Sequence, residues 1–110
     1  MTWEIVAGDY GSSYMATVKG QDLSDCVARI YVWRDSTYLI NGELCSAVTF
    51  ADGDSSCYYT VKEGDIPANA AIGRRSTVYR VMIEFTKTGY KEHDLSFNWA
   101  VHPAPPEEGG

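Results

Sequence analysis

At 110 residues, with 45% hydrophobic and 13% aromatic content, the chain can bury one core without cross-links and is too apolar to stay disordered. Its net charge is −6 and its nine Lys and Arg are scattered, which argues against the positive footprint that nucleic-acid binding needs. No run approaches the roughly 20 apolar residues of a membrane-spanning helix.

The opening MTWEIVAGDY lacks the basic start and apolar stretch of a signal peptide, so the chain is expected to begin at its natural Met1 and to be made in the cytoplasm. Residues 2–6, TWEIV, read as a short first strand, after which Gly8 and Gly11 let the chain bend. Ser13–Lys19 alternates Tyr14, Ala16 and Val18 against Met15, Thr17 and Lys19. Period-two patterning marks a half-buried strand, here expected at a sheet edge. GQDLSD follows as a turn whose Leu23 is expected to plug the sandwich. In Val27–Arg34, Ala28, Ile30 and Val32 are expected inside, which leaves Tyr31 and Trp33 as an outward aromatic pair. Asp35–Ser36 turns the chain into Thr37–Asn41, and the turn signal Asn41–Gly42 is expected to end that strand.

Glu43–Lys62 reads as a hairpin about a two-residue turn at Asp52–Gly53. That register sets Val48 opposite Cys57, Leu44 opposite Val61 and Phe50 opposite Ser55. It also puts Cys45 and Cys57 on opposite faces, against a disulfide between them. Three cysteines, no CxxC and no histidine cluster predict free thiols and no zinc site. Glu63–Arg75 contains Pro67, which forbids a central strand. It has the length of a crossover between sheets, with room for one helical turn over Ala68–Ile72.

Ser76–Val101 carries the strongest pattern. Tyr79, Val81, Ile83 and Phe85 alternate with polar or smaller residues, and so do Leu95, Phe97, Trp99 and Val101. Antiparallel pairing of Phe85 with Leu95, Ile83 with Phe97 and Val81 with Trp99 puts every large apolar group on one face. The turn is expected over Thr86–Asp94, around Gly89. Residues 103–110, rich in Pro, Glu and Gly, read as a flexible tail after a single 1–102 domain. About seven to nine short strands at roughly ten-residue intervals predict an all-β Greek-key sandwich of immunoglobulin type. The Cys…Trp…Cys pattern of antibody domains is missing.

Chemistry-bearing motifs are scarce. His93 and His102, the two histidines, have no carboxylate or cysteine at a telling spacing. No GxSxG elbow is present, and Asp52-Gly53-Asp54 lacks the rest of a calcium loop. No catalytic set, cofactor or metal is therefore expected. Aromatics carry the binding potential, because Tyr31, Trp33, Tyr38, Tyr58 and Tyr90 cannot all fit in the core beside Phe50, Tyr59, Tyr79, Phe97 and Trp99. Exposed Tyr and Trp suit protein interfaces and sugar-stacking surfaces alike. Tyr31, Trp33, Tyr38 and Tyr58 are the candidate interface residues.

From Val18 to Val101 the chain resembles the immunoglobulin-like domain at the N-terminus of phage baseplate upper proteins. The likeness lies in VKGQDLSDC with its buried Leu23, then VARIYVWR, a hairpin with a DG-type turn, and the aromatic strand SCYYTVKEGD. STVYRVMIEFT and LSFNWAVHP follow, and Gly73 and Tyr79 match the family's Gly and Tyr loosely. The chain departs from the family in having no helical stalk or receptor-binding part. What the resemblance implies is a non-enzymatic, virion-associated structural part of a tailed phage or prophage. Such a part is made in the host cytoplasm and docks on tail or baseplate proteins, usually in several copies. The alternative is a carbohydrate- or cell-surface-binding module, with Tyr31 and Trp33 or Tyr58 as its stacking platform.

Overall fold

The computed structural model describes residues 2–105; beyond residue 105, the tail expected at 103–110 lies outside the described residues. Among the described residues eight strands are formed: β1 (Thr2–Val6), β2 (Ser13–Lys19), β3 (Val27–Arg34), β4 (Thr37–Leu44), β5 (Thr49–Ala51), β6 (Asp54–Thr60), β7 (Thr77–Lys87) and β8 (Tyr90–His102). They make a five-stranded sheet, β1-β8-β7-β3-β4, facing a three-stranded sheet, β2-β6-β5. This is the expected all-β sandwich, in immunoglobulin strand order. β1 lies parallel to β8, and the other ladders are antiparallel.

The core follows from alternation. Ala28, Ile30 and Val32 of β3, Tyr79, Val81, Ile83 and Phe85 of β7, and Trp99 and Val101 of β8 all point inward. Tyr14, Ala16, Cys57 and Tyr59 meet them from the smaller sheet. Leu23 is buried as the expected plug, and its amide donates to Ser55 Oγ at 2.8 Å. Ser55 Oγ in turn donates to the Gln21 carbonyl at 2.7 Å, so a buried hydroxyl is fully used. The β6–β7 crossover carries short 3-10 turns at Ala68–Ala70 and Ile72–Arg74. Above it the Tyr79 hydroxyl donates to the Ala70 carbonyl at 2.7 Å, the place and role of the tyrosine corner in immunoglobulin sandwiches. Val81, two residues on, stands where antibody domains carry a cysteine.

Four expectations about the final hairpin and β4 are corrected. In the final hairpin, Trp99 pairs with Tyr79 and Phe97 with Val81, two residues from the expected register. Its turn is the two residues between Lys87 and Tyr90, not Thr86–Asp94. A register shift between Val81 and Ile83 gives β8 one extra residue there, a β-bulge that re-aims side chains. Leu95 is consequently 64% exposed instead of buried against Phe85. At Gly42 the chain does not turn, and β4 continues to Leu44. Gly42 instead takes φ +79 inside the strand, where the Tyr31 ring would lie 3.1 Å from any added Cβ.

The Asp52–Gly53 turn holds as expected, with Phe50 opposite Ser55. Both turn residues have positive φ, as a tight hairpin of this hand requires. The rest of that hairpin does not form. Leu44 pairs with Arg29 in the five-stranded sheet rather than with Val61, and the chain switches sheets between Leu44 and Thr49. Phe50, expected inside, is exposed on the short edge strand β5. Cys45 and Cys57 are both buried in one core. The opposite-face expectation fails because Cys45 belongs to the crossing segment, not to β5.

Burial pushes the Tyr14 and Tyr59 phenols well above the ordinary tyrosine range and raises Tyr79 as well, and Tyr59 gains further from donating to Asp65 Oδ2 at 2.5 Å. In the unfolded chain these phenols ionise near pH 10. Above that pH the native state therefore holds more protons than the unfolded one, and stability falls as pH rises. The melting temperature should be insensitive to these groups below about pH 9 and drop steeply through about pH 10–11. The share of tyrosinate absorbance that belongs to these three phenols should appear only with unfolding. Ionisation of all eight tyrosines while the fold stays intact would contradict this.

Candidate functional site

The two sheets leave two outer faces, and they differ in chemistry. On the smaller sheet, hydroxyls dominate: Ser13 and Thr60 bond across strands at 2.8 Å, and Thr17 and Ser56 at 3.0 Å. Met15 and Tyr58 pair directly between them, both exposed.

On the larger sheet, the outward positions of β3, β4 and β7 gather aromatics and cations. Trp33 pairs with Tyr38 across the tight β3–β4 hairpin, and their ring centroids lie 6.2 Å apart at 34°. Tyr31, one outward position along β3, stands over Gly42 of β4. Across the other ladder Trp33 faces Arg80 and Tyr31 faces Met82. Arg29 pairs with the exposed Leu44 and donates from Nη1 to the Gly42 carbonyl at 3.0 Å.

Three of the four expected interface residues, Tyr31, Trp33 and Tyr38, thus come together. Tyr58 sits on the opposite side of the sandwich and belongs to a different surface. Tyr31 and Trp33 are half-buried by their cross-strand neighbours, and Tyr38 is 50% exposed. Tyr90 is engaged elsewhere: its hydroxyl contacts Glu92 Oε2 and accepts from Gln21 Nε2 at 2.8 Å. Its phenol is raised first by that carboxylate contact, and Lys87 Nζ lies 5.4 Å from its ring centroid.

Sequence reading missed the exposed apolar residues that extend this surface, Val78 on β7 and the bulged Leu95 on β8. Leu95 lines a cleft of about 230 Å³ with Arg80 and Asn98. Val78 could have been found from its outward parity beside Arg80. Leu95 carried no such signal, because alternation placed it inside.

The arrangement presents flat aromatic area with guanidinium groups beside it, on the inner strands β3 and β7 and the edge strand β4. Tyr, Trp, Met and Arg are the side chains enriched where proteins meet. Gly42 is the local support. An alanine there would adopt a strained positive φ and push its Cβ against the Tyr31 ring. Gly42→Ala should lower stability by about 1–2 kcal/mol in a urea titration. It should also shift the tyrosine fluorescence of the folded protein. Unchanged stability would show that β4 can flatten without Gly42.

Histidines sit in polar contacts at the surface. His93 Nε2 lies 3.1 Å from Glu84 Oε2, which also pairs with Lys91 at 3.7 Å. Glu84 lies on the outward face of β7, yet its side chain is only 14% exposed. His102 bridges Ser76 Oγ, 2.6 Å from Nδ1, and Glu4 Oε1, 2.9 Å from Nε2. These contacts tie β8 to the start of β7 and to β1. Among the described residues no group of three or more His, Cys, Asp or Glu side chains is arranged to hold a metal ion. No helix among them is long and apolar enough to cross a membrane. No protein-family model and no curated protein matches the chain, so the functional reading rests on the surface just described.

Proposed function

We propose that the chain is a non-enzymatic docking module, a structural part of a tailed phage or prophage that seats its five-stranded sheet on a tail or baseplate protein. The observation that carries the docking reading is the Trp33–Tyr38–Tyr31 cluster with Arg80 and Arg29 beside it. The virion assignment rests on the resemblance to baseplate upper proteins. Mass spectrometry of particles from a producing strain should find the chain in tail fractions, and Trp33→Ala should deplete it there while Tyr58→Ala does not. Particles that form normally without any copy of the chain would sink the proposal.

One observation favours a second reading, a carbohydrate-binding module. Tyr38 also lines a cleft of about 220 Å³ with Arg34, Asp35 and Asn69, so an aromatic platform adjoins hydrogen-bonding groups suited to sugar hydroxyls. Binding on a glycan array that is lost in Trp33→Ala would decide for this reading against the purely structural one.

A further inference from the structure

The sandwich is open along one side. Residues 17–19 of β2 and 92–94 of β8 line a cleft of about 400 Å³, with Leu23, Phe85 and Phe97 as its apolar floor. On each strand the lining residues are consecutive, although successive side chains point to opposite faces. Thr17 spends its hydroxyl on Ser56 at 3.0 Å, and the His93 ring lies 3.1 Å from Glu84, both on outer faces. Both residues line the cleft all the same, so the two strands meet it edge-on. Topology agrees. β2 ends the smaller sheet, and β1 covers β8 only along 98–102, so among the described residues 90–97 have β7 alone beside them.

The bulge in β8 explains why this seam is not filled. Directly opposed residues share a face, and Glu92 and Asp94 pair with the inward Phe85 and Ile83. Before the bulge, β8 therefore turns carboxylates inward; after it, Phe97 and Trp99 pack on the core. The cleft thus combines an apolar floor, two acidic groups on its β8 wall and Lys19 on its β2 rim. Gln21 Nε2 donates to Glu92 Oε2 at 2.7 Å, and the Phe97 ring meets Tyr14 at 5.8 Å.

We propose that this seam binds an extended, basic segment of a partner protein, which adds to the free edge of β8 as a strand. A row of backbone donors and acceptors is best answered by another backbone. β1 shows the mode on the same edge, lying along 98–102 with Trp3 and Ile5 turned to the core. The guest continues that row past the start of β1, and about five residues cover 91–95 at roughly 3.3 Å each. One inward Lys or Arg lays its aliphatic stem over Leu23 and Phe85 and carries its charge to the Glu92 and Asp94 carboxylates. Two carboxylates against the single Lys19 ammonium select a cation over an anion. The chain's own end suits the seam badly, because Pro103, Pro105 and Pro106 have no N–H to give. The seam is separate from the Trp33 face, and its test does not depend on docking there.

The test uses the full chain and a panel of capped synthetic heptapeptides, threonine at outward positions and lysine at the central inward one. Valine, leucine or phenylalanine occupies the flanking inward positions. Amide hydrogen exchange is followed by nuclear magnetic resonance with and without peptide. The best of these peptides should slow exchange along 91–95 by about tenfold or more, and versions with central glutamate or with proline should not. Asp94→Asn should weaken the lysine peptide by about tenfold. Lys19→Gln, a change at an exposed rim position, should tighten it by about twofold. No protection from any peptide would overturn the proposal and leave the inward carboxylates as a device that repels neighbouring strands. Equal protection by lysine and glutamate peptides would overturn it too. So would protection of 91–95 that grows with protein concentration alone, which would give the seam to a second copy of the chain.

Discussion

Trp99→Ala should cost the fold about 3–5 kcal/mol, the largest loss expected from one side chain here. Trp99 has no exposed surface, and its indole packs against Trp3 at 4.8 Å and Tyr14 at 5.3 Å between centroids. Trp3 and Tyr14 also touch, at 5.4 Å, so one ring from each of β1, β2 and β8 closes this end of the sandwich. Alanine would remove the shared member and leave a cavity that two other rings cannot fill without leaving their strands. Urea unfolding followed by circular dichroism would measure the loss. Trp99→Phe should cost less, because the indole N–H is buried with no hydrogen-bond partner among the described residues, and phenylalanine removes that unpaired donor. Equal losses for Ala and Phe would refute the packing argument.

Trp33→Ala should separate binding from folding. Trp33 is half-buried on an outer face, so its loss removes only part of a ring's burial, and stability should fall by about 1 kcal/mol. A truncated aromatic anchor at an interface centre costs 2 kcal/mol or more, roughly a thirty-fold or greater loss of affinity. Isothermal titration against a purified partner should therefore show the large effect in Kd and the small one in unfolding. Arg80→Glu should act in the same direction through charge on the neighbouring strand, while Tyr58→Ala leaves affinity unchanged. Loss of affinity in Tyr58→Ala alone would move the interface to the other sheet.

How much of this was legible beforehand follows from what period-two alternation can encode. It assigns each residue of a strand to a face, so the inward sets on β3 and β7, the outward Tyr31 and Trp33, and the sandwich class all followed. It cannot distinguish registers that differ by two residues, since each side chain keeps its face. That is why Trp99 was matched to Val81 instead of Tyr79. It also fails wherever a strand stops being regular. The β8 bulge reversed Leu95, and the sheet switch reversed Cys45 relative to Cys57. Asn41–Gly42 misled for a related reason: a positive φ serves a bulged strand as well as a turn, and only the Tyr31 ring above Gly42 shows which is meant. Of the interface candidates, alternation could say that Tyr58 faced outward, but not from which sheet.

The parallel pairing of β1 with β8 also bears on how the chain is made. Thr2–Val6 finds its partners at Asn98–His102, so β1 has no ladder to join until β8 has emerged from the ribosome. Contacts of such sequence separation slow folding, and until then β1 and the β8 side of β7 are open edges able to pair with other chains. Closure of this sandwich waits for β8, and a nascent chain stalled before β8 would expose the edges that the finished sheet hides.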